Sequence, residues 1–200
     1  MVFKGANTID EQLLWEKTLA GDDLAYACLY RKYLNELFSY GMCFTTNREL
    51  VKDCIQDIFV KIYSNRLNLN QTDNVKLYLF IALKNTLFNV FEKDKSLFFI
   101  DTVEPVFTVE YSIEDKLIAN EYQEEQKKYI NKILDLLPPR QKEVLYYRYV
   151  KGMTLNEICD IMKINYQSVQ NLIQRSIKKM HAILVEEKTS SLSVKMRIHY

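Results

Sequence analysis

The sequence predicts an all-α protein built as two small helical domains joined by an acidic linker. Only four glycines and three prolines punctuate 200 residues, too few for many short strands and their turns. Leu, Ile, Lys, Glu, Gln and Asn fill the intervals, and they favour long helices. Charge is also partitioned by position. Residues 1–100 carry twelve basic and twelve acidic side chains. Residues 101–126 carry eight acidic against one basic, a net −7, and residues 127–185 carry eleven basic against four acidic, a net +7. The expected boundaries are 1–97 for the first domain, 98–120 for the linker, 121–186 for the second domain and 187–200 for a tail with no assigned role.

Several function classes are excluded first. The chain does not open on a basic stretch followed by an apolar run, and no window reaches the roughly 18–20 apolar residues that span a bilayer. A cytoplasmic protein without direct membrane insertion is expected. Cys28, Cys43, Cys54 and Cys159 show no CxxC spacing, and His181 and His199 are the only histidines, so no metal site assembles. There is no Gly-rich phosphate loop and no GxSxG, and no cysteine has a histidine base nearby in sequence. The expectation is no enzyme, no cofactor and no small-molecule substrate.

In chain order, the first amphipathic segment is GDDLAYACLYRKYLNELFSYG from Gly21. Leu24, Cys28, Leu29, Tyr33, Leu37 and Phe38 recur at helical spacing as its buried stripe. In ELVKDCIQDIFVKIYSNR, Leu50, Cys54, Ile58, Phe59 and Ile62 form an apolar face, leaving Asp53, Gln56, Asp57, Val60 and Lys61 outside. Spacing alone reads those as ordinary solvation. In VKLYLFIALKNTLFNVFEKDKS the aromatics Tyr78, Phe80, Phe88 and Phe91 read as core, while Lys84, Asn85 and Asn89 are polar candidates and Lys93 and Lys95 suit phosphate. Residues 98–120 mix acidic with aromatic and β-branched residues, and Pro105 interrupts any helix, so an extended linker is expected, its Asp101, Glu104, Glu110, Glu114 and Asp115 either solvated along a tether or mimicking nucleic acid on a basic wall.

The C-terminal block has readable punctuation. Pro138 and Pro139 stop one helix at Leu137 and start another that runs to Lys151, with Gly152 as a left-handed terminator. Thr154 and Glu157 form a T-x-x-E capping box ahead of a short helix, Leu155 to Met162. Lys163, Ile164 and Asn165 make a tight turn, with Asn165 capping a helix from Tyr166 to about Leu184. This is helix-turn-helix spacing. Val169, Ile173, Ile177 and Met180 are expected to pack inward against Leu155 and Ile158. The other face presents Gln167, Gln170, Asn171, Gln174 and Arg175, then Lys178 and Lys179. Asn and Gln can pair bidentately with adenine and Arg with guanine in the major groove, and lysines grip phosphate. The bland alternative is the solvent side of an amphipathic helix, and Leu172 is either core or a contact to a thymine methyl.

The stretch LLPPRQKEVLYYRYVKGMTLNEICDIMKINYQSVQNLIQRSIKKM resembles region 4 of bacterial RNA polymerase sigma factors, the module that reads the promoter −35 element. The Pro-Pro-Arg start, Arg148-Tyr149, Glu157-Ile158, Val169 and Arg175 carry the resemblance. It implies −35 contacts by Tyr166, Gln167, Ser168, Gln170, Asn171, Gln174, Arg175, Lys178 and Lys179. VKDCIQDIFVKIY resembles the region 2.2 helix, which implies that Asp53, Gln56, Asp57, Phe59, Val60 and Lys61 bind core RNA polymerase. VKLYLFIALKNTLFNVFEKDKS resembles regions 2.3 and 2.4, which implies that Lys84, Asn85, Asn89, Lys93 and Lys95 act at the −10 element. The sequence departs from the family at Gln170 and Leu172, where many members are basic, at Glu92 and Asp94 likewise, and at Asn89, usually aspartate. DNA binding by either module alone is therefore expected to be weak.

The resemblance is to the small extracytoplasmic-function (ECF) type. It implies a non-enzymatic initiation factor whose partners are core RNA polymerase, promoter DNA and a membrane-anchored anti-sigma factor. The alternatives are a helix-turn-helix regulator with an N-terminal sensor or dimerisation domain, and a helical adaptor that binds no DNA.

Overall fold

The computed structural model describes residues 6–98, 107–108 and 132–197, with side chains placed for 11–93, 107–108 and 132–185. Among the described residues every regular element is helical. The chain divides into two compact units, Met1–Val106 and Phe107–Tyr200. The linker carboxylates Asp101, Glu104, Glu110, Glu114 and Asp115, the side chain of Lys95 and the side chains of the tail lie outside the described residues.

The first unit is a bundle of α1 (Ala6–Leu19), α2 (Asp23–Gly41), α3 (Arg48–Asn65) and α4 (Val75–Phe98), with a 3₁₀ turn at Arg66–Asn68. Each junction has a local chemical cause. Gly21, at φ +92°, takes the left-handed conformation that ends α1. Asp22 then accepts from the backbone amides of Leu24 and Ala25 at 2.9 and 3.0 Å to start α2. Asn47 caps α3 through the Leu50 amide at 3.1 Å, and the Asn74 side chain accepts from the Leu77 amide at 2.9 Å in the first turn of α4. The core is filled by Leu29, Leu37, Ile55, Leu79, Phe80 and Leu83, with Trp15 of α1 sealing one side against Tyr78 at 5.3 Å between rings.

Two details of α2 differ from expectation. Leu24 is 77% exposed and Cys28 is also exposed, because the buried stripe runs Ala25, Leu29, Tyr33, Leu37, Tyr40. The stripe begins one residue later than the apolar pattern suggested, since the Asp22 cap places Leu24 on the outside of the first turn. α1, which the amphipathic pattern did not reveal, contributes buried Trp15, Thr18 and Leu19.

The second unit contains a helical turn at 132–135, α5 (Pro139–Leu145) continuing into a π turn (Tyr146–Val150), α6 (Leu155–Met162) and α7 (Tyr166–Arg197). Pro139 opens α5, as expected of a residue with no amide to satisfy. Gly152 is at φ +67°, and the capping box forms in full: Thr154 Oγ1 accepts from the Glu157 amide, and the Glu157 carboxylate accepts from the Thr154 amide. The expected uniform helix to Lys151 is interrupted, because the Lys151 amide reaches the Tyr146 carbonyl, an i→i+5 bond of 3.0 Å. α7 runs past Leu184 because no Gly or Pro follows to stop it. Phe107 is buried in this unit, its ring 5.4 Å from that of Tyr146 and 6.4 Å from that of Tyr147.

Candidate nucleic-acid interface

The helix-turn-helix is set by the turn between α6 and α7. Lys163 takes φ +53°, a left-handed cap on α6, and Asn165 Oδ1 accepts from the Ser168 amide at 2.8 Å to start α7. Val169 and Ile173 bury one side of α7 while Ile158, Ile161 and Met162 bury the facing side of α6. Ile177, expected to point inward, is 45% exposed. The inward row is instead Val169, Ile173, Ser176, a three-residue step that turns the stripe away from Ile177. Ser176 is fully buried and satisfies itself by donating to the Leu172 carbonyl at 2.7 Å.

That packing leaves a polar ridge outside. Tyr166, Gln167, Asn171, Gln174, Arg175, Lys178 and Lys179 are exposed, and Ser168, Gln170 and Leu172 are half-buried. From Gln167 to Lys178 the ridge runs eleven residues, roughly 16 Å along the helix axis. Its groups are held along the helix: Gln167 donates to Asn171 Oδ1 at 3.2 Å, and Arg175 Nε donates to the Asn171 carbonyl at 3.3 Å.

In the first unit, α4 buries Val75, Leu79, Phe80, Leu83 and Leu87. The side turned outward carries Asn85, Asn89 and Lys93 at four-residue intervals, with Asn89 and Lys93 exposed and Asn85 half-buried. Beside them Lys84 lies over the Phe88 ring at 5.7 Å. Of the aromatics expected in the core, Phe80 is fully buried, whereas Tyr78, Phe88 and Phe91 are half-buried. Phe88 and Phe91, 6.1 Å apart, therefore offer partly accessible ring faces beside the polar row.

On α3, Asp53, Gln56, Asp57, Val60 and Lys61 are exposed, with Val60 at 51%. Phe59 does not join them. It is 1% exposed and meets Tyr30 and Tyr26 edge-on at 4.9 and 6.1 Å, so it supports the exposed face from beneath. Cys54 lies beneath the same face. Burial pushes its thiol pKa up to about 11, with Asp57 and Asp53 adding to the rise and Lys61 opposing it.

A further surface escaped the sequence reading. In the second unit Leu145, Tyr146, Tyr149, Val150, Ile177 and Leu184 line an apolar groove of about 460 Å³. The π turn carries Tyr149 and Val150 outward, to 64% and 49% exposure. The outward position of Ile177 was the available clue, and it depended on the three-residue step at Ser176.

Residues 127–180 match the family model for Sigma-70, region 4. The ECF RNA polymerase sigma factor SigM of Bacillus subtilis (strain 168) is 22% identical over 166 residues, spanning 78% of this chain and 92% of SigM. The RNA polymerase sigma factor SigV of the same organism is 22% identical over 155 residues, spanning 78% of this chain and 88% of SigV. Among solved structures, CnrH in complex with the cytosolic domain of CnrY aligns at a TM-score of 0.58 and 16% identity, covering 88% of this chain and 97% of that one. RpoE in complex with the anti-sigma factor NepR from Bartonella quintana aligns at 0.53 and 17% identity, covering 80% and 96%. At those identities the structural likeness shows the fold. Residues 127–180 thus match a module of RNA polymerase sigma factors, and over most of its length the chain is similar to two of them. One of those relatives, SigM, is of the ECF type.

Proposed function

We propose that this sigma factor directs core RNA polymerase to promoters by reading two DNA elements with its two units. The observation that carries the reading is α7: buried Val169 and Ile173 hold it against α6 and leave Gln167, Asn171, Gln174 and Arg175 outside, in reach of base edges at a −35 element. Lys178 and Lys179 continue the ridge toward phosphate. At the −10 element, Asn85 and Asn89 suit the edge of an unstacked base, the partly accessible Phe88 and Phe91 rings suit stacking, and Lys84, Lys93 and Lys95 suit the strand backbone. The exposed Asp53, Gln56, Asp57, Val60 and Lys61 of α3 form the polymerase-docking face, with Phe59 bracing it from the core.

Two weak DNA contacts held on one polymerase act as a strong one, because each raises the effective concentration of the other at its element. No step requires a cofactor, and the site of action is the cytoplasm. RpoE was solved bound to an anti-sigma factor, which supports a regulator of that kind here; a membrane anchor on it, and cover of the polymerase-binding surfaces, are part of the proposal. The test is transcription by purified protein with core polymerase and without any inhibitory partner. Promoter-specific transcripts that vanish with Asp53→Ala/Asp57→Ala are expected. DNA binding without polymerase and no specific transcript would favour a conventional helix-turn-helix regulator instead.

A further inference from the structure

We infer that Phe107 is an anchor that pins the interdomain chain to the second unit and thereby sets how far the two units can separate. Three observations lead there. Phe107 lies 25 residues before the helical turn that begins at Lys132, within the stretch whose composition reads as a tether. It is nevertheless 2% exposed, as enclosed as the core residues around it. Its ring packs edge-on against Tyr146 at 5.4 Å and tilts against Tyr147 at 6.4 Å, and these are neighbouring residues of the second unit's own core.

The consequence follows from chain length alone. Phe98 ends α4, so with Phe107 docked the units are connected by nine Cα–Cα steps, from 98 to 107. Fully extended, those steps reach roughly 30 Å. Were the chain free up to Lys132, the connection would be 34 steps, from 98 to 132, with a limit of roughly 115 Å. For a flexible tether long enough to span its sites, effective concentration falls with about the −3/2 power of length, so the anchor raises it by roughly sevenfold. Phe107 thus divides the 98–120 segment into a part that governs reach, residues 99–106, and a part beyond it that does not. The use of that reach in promoter reading rests on the two-element function proposed above; the anchor itself does not.

The test uses the full-length free protein, without DNA or polymerase, so the anchor and the promoter-reading function can fail separately. Spin labels are placed on exposed Cys28 in the first unit and on Asn156→Cys in the second, in a Cys159→Ala background, and the distance distribution is measured by pulsed dipolar EPR. A ten-residue Gly/Ser insertion after Thr102 is expected to broaden the distribution and move its upper edge outward, by up to about 35 Å. The same insertion after Tyr111 is expected to leave it unchanged. In Phe107→Ala the two insertions are expected to have equal effect. Equal broadening by both insertions with Phe107 intact would overturn the proposal. The insertion pair keeps Phe107 and its ring partners Tyr146 and Tyr147 unchanged, so it decides the matter even if Phe107→Ala does not fold.

Discussion

The Tyr147 hydroxyl donates to Glu143 Oε1 at 2.7 Å, one helical turn apart and inside the second unit, where Tyr147 is fully buried and Glu143 is 8% exposed. The helix thus brings a carboxylate into its core together with a donor for it. A buried acceptor that loses its donor costs about 1–3 kcal/mol. Tyr147→Phe keeps the ring and its packing on Phe107 and removes only that donor, so it is expected to destabilise the second unit by this amount. Urea unfolding followed by circular dichroism measures it. Trp15, the single tryptophan, reports on the first unit, and its fluorescence midpoint should not move. An unshifted dichroism transition would show that the hydroxyl contributes nothing.

Gly41 makes the complementary test in the first unit. A Cβ built there would lie 2.5 Å from Val51 Cγ1, so α2 and α3 approach as closely as they do because position 41 has no side chain. Overpacking of this kind costs about 1–3 kcal/mol. Gly41→Ala should lower the Trp15 fluorescence midpoint accordingly, and Val51→Ala in the same chain should recover part of the loss. Strictly additive effects of the two changes would mean that the steric contact is not the cause.

Most of this architecture was legible because local chemistry and tertiary packing agree at the helix ends. The Thr154–Glu157 box, the Asn165 cap, the Gly152 terminator and the Pro139 start each act within four residues, so spacing reveals them. What was not legible depends on register over longer distances. The π turn at Tyr146–Val150 has no composition signal, yet it exposes Tyr149 and Val150. Ile177 and Ser176 exchange roles because the inward row of α7 takes a three-residue step there, and a small self-bonded serine fits the core. Phe59 shows the limit for the candidate site: the family pattern and the apolar face both include it, and only packing against Tyr26 and Tyr30 assigns it to the core. Phe107 sits in a stretch whose composition reads as linker, and its burial requires partners some forty residues away.

The cysteines should separate by reactivity. Cys28 is exposed, whereas Cys43 and Cys54 are each 2% exposed. Burial raises the Cys54 pKa to about 11 from 9.0, so near neutral pH almost none of it is thiolate, the reactive form. Native protein treated with a maleimide is expected to be labelled at Cys28 and spared at Cys43 and Cys54 until denaturant is added. The same shift has a stability consequence. Because the folded pKa lies above the unfolded one, the Cys54 contribution is fully present below about pH 9 and is lost as pH rises toward 11. Cys54→Ala should therefore flatten the alkaline fall in stability between those values; an identical slope would remove Cys54 as its source.

The function proposed above divides the polar ridge of α7 into two kinds of contact with different signatures. On the proposed reading the exposed Lys178 and Lys179 meet phosphate, and each phosphate contact removed should reduce the salt dependence of promoter binding by roughly 0.9 in the log–log slope. Lys178→Ala/Lys179→Ala in the polymerase-bound protein should weaken binding to all promoter sequences alike. Gln174→Ala or Arg175→Ala should leave the slope almost unchanged and cost about 1–3 kcal/mol only where the matching base is present, with relaxed preference at that base pair. Titrating polymerase-bound protein against promoter variants at several salt concentrations distinguishes the two. If none of the four changes alters either slope or base preference, the ridge is a solvated helix face and the proposed −35 reading by α7 fails.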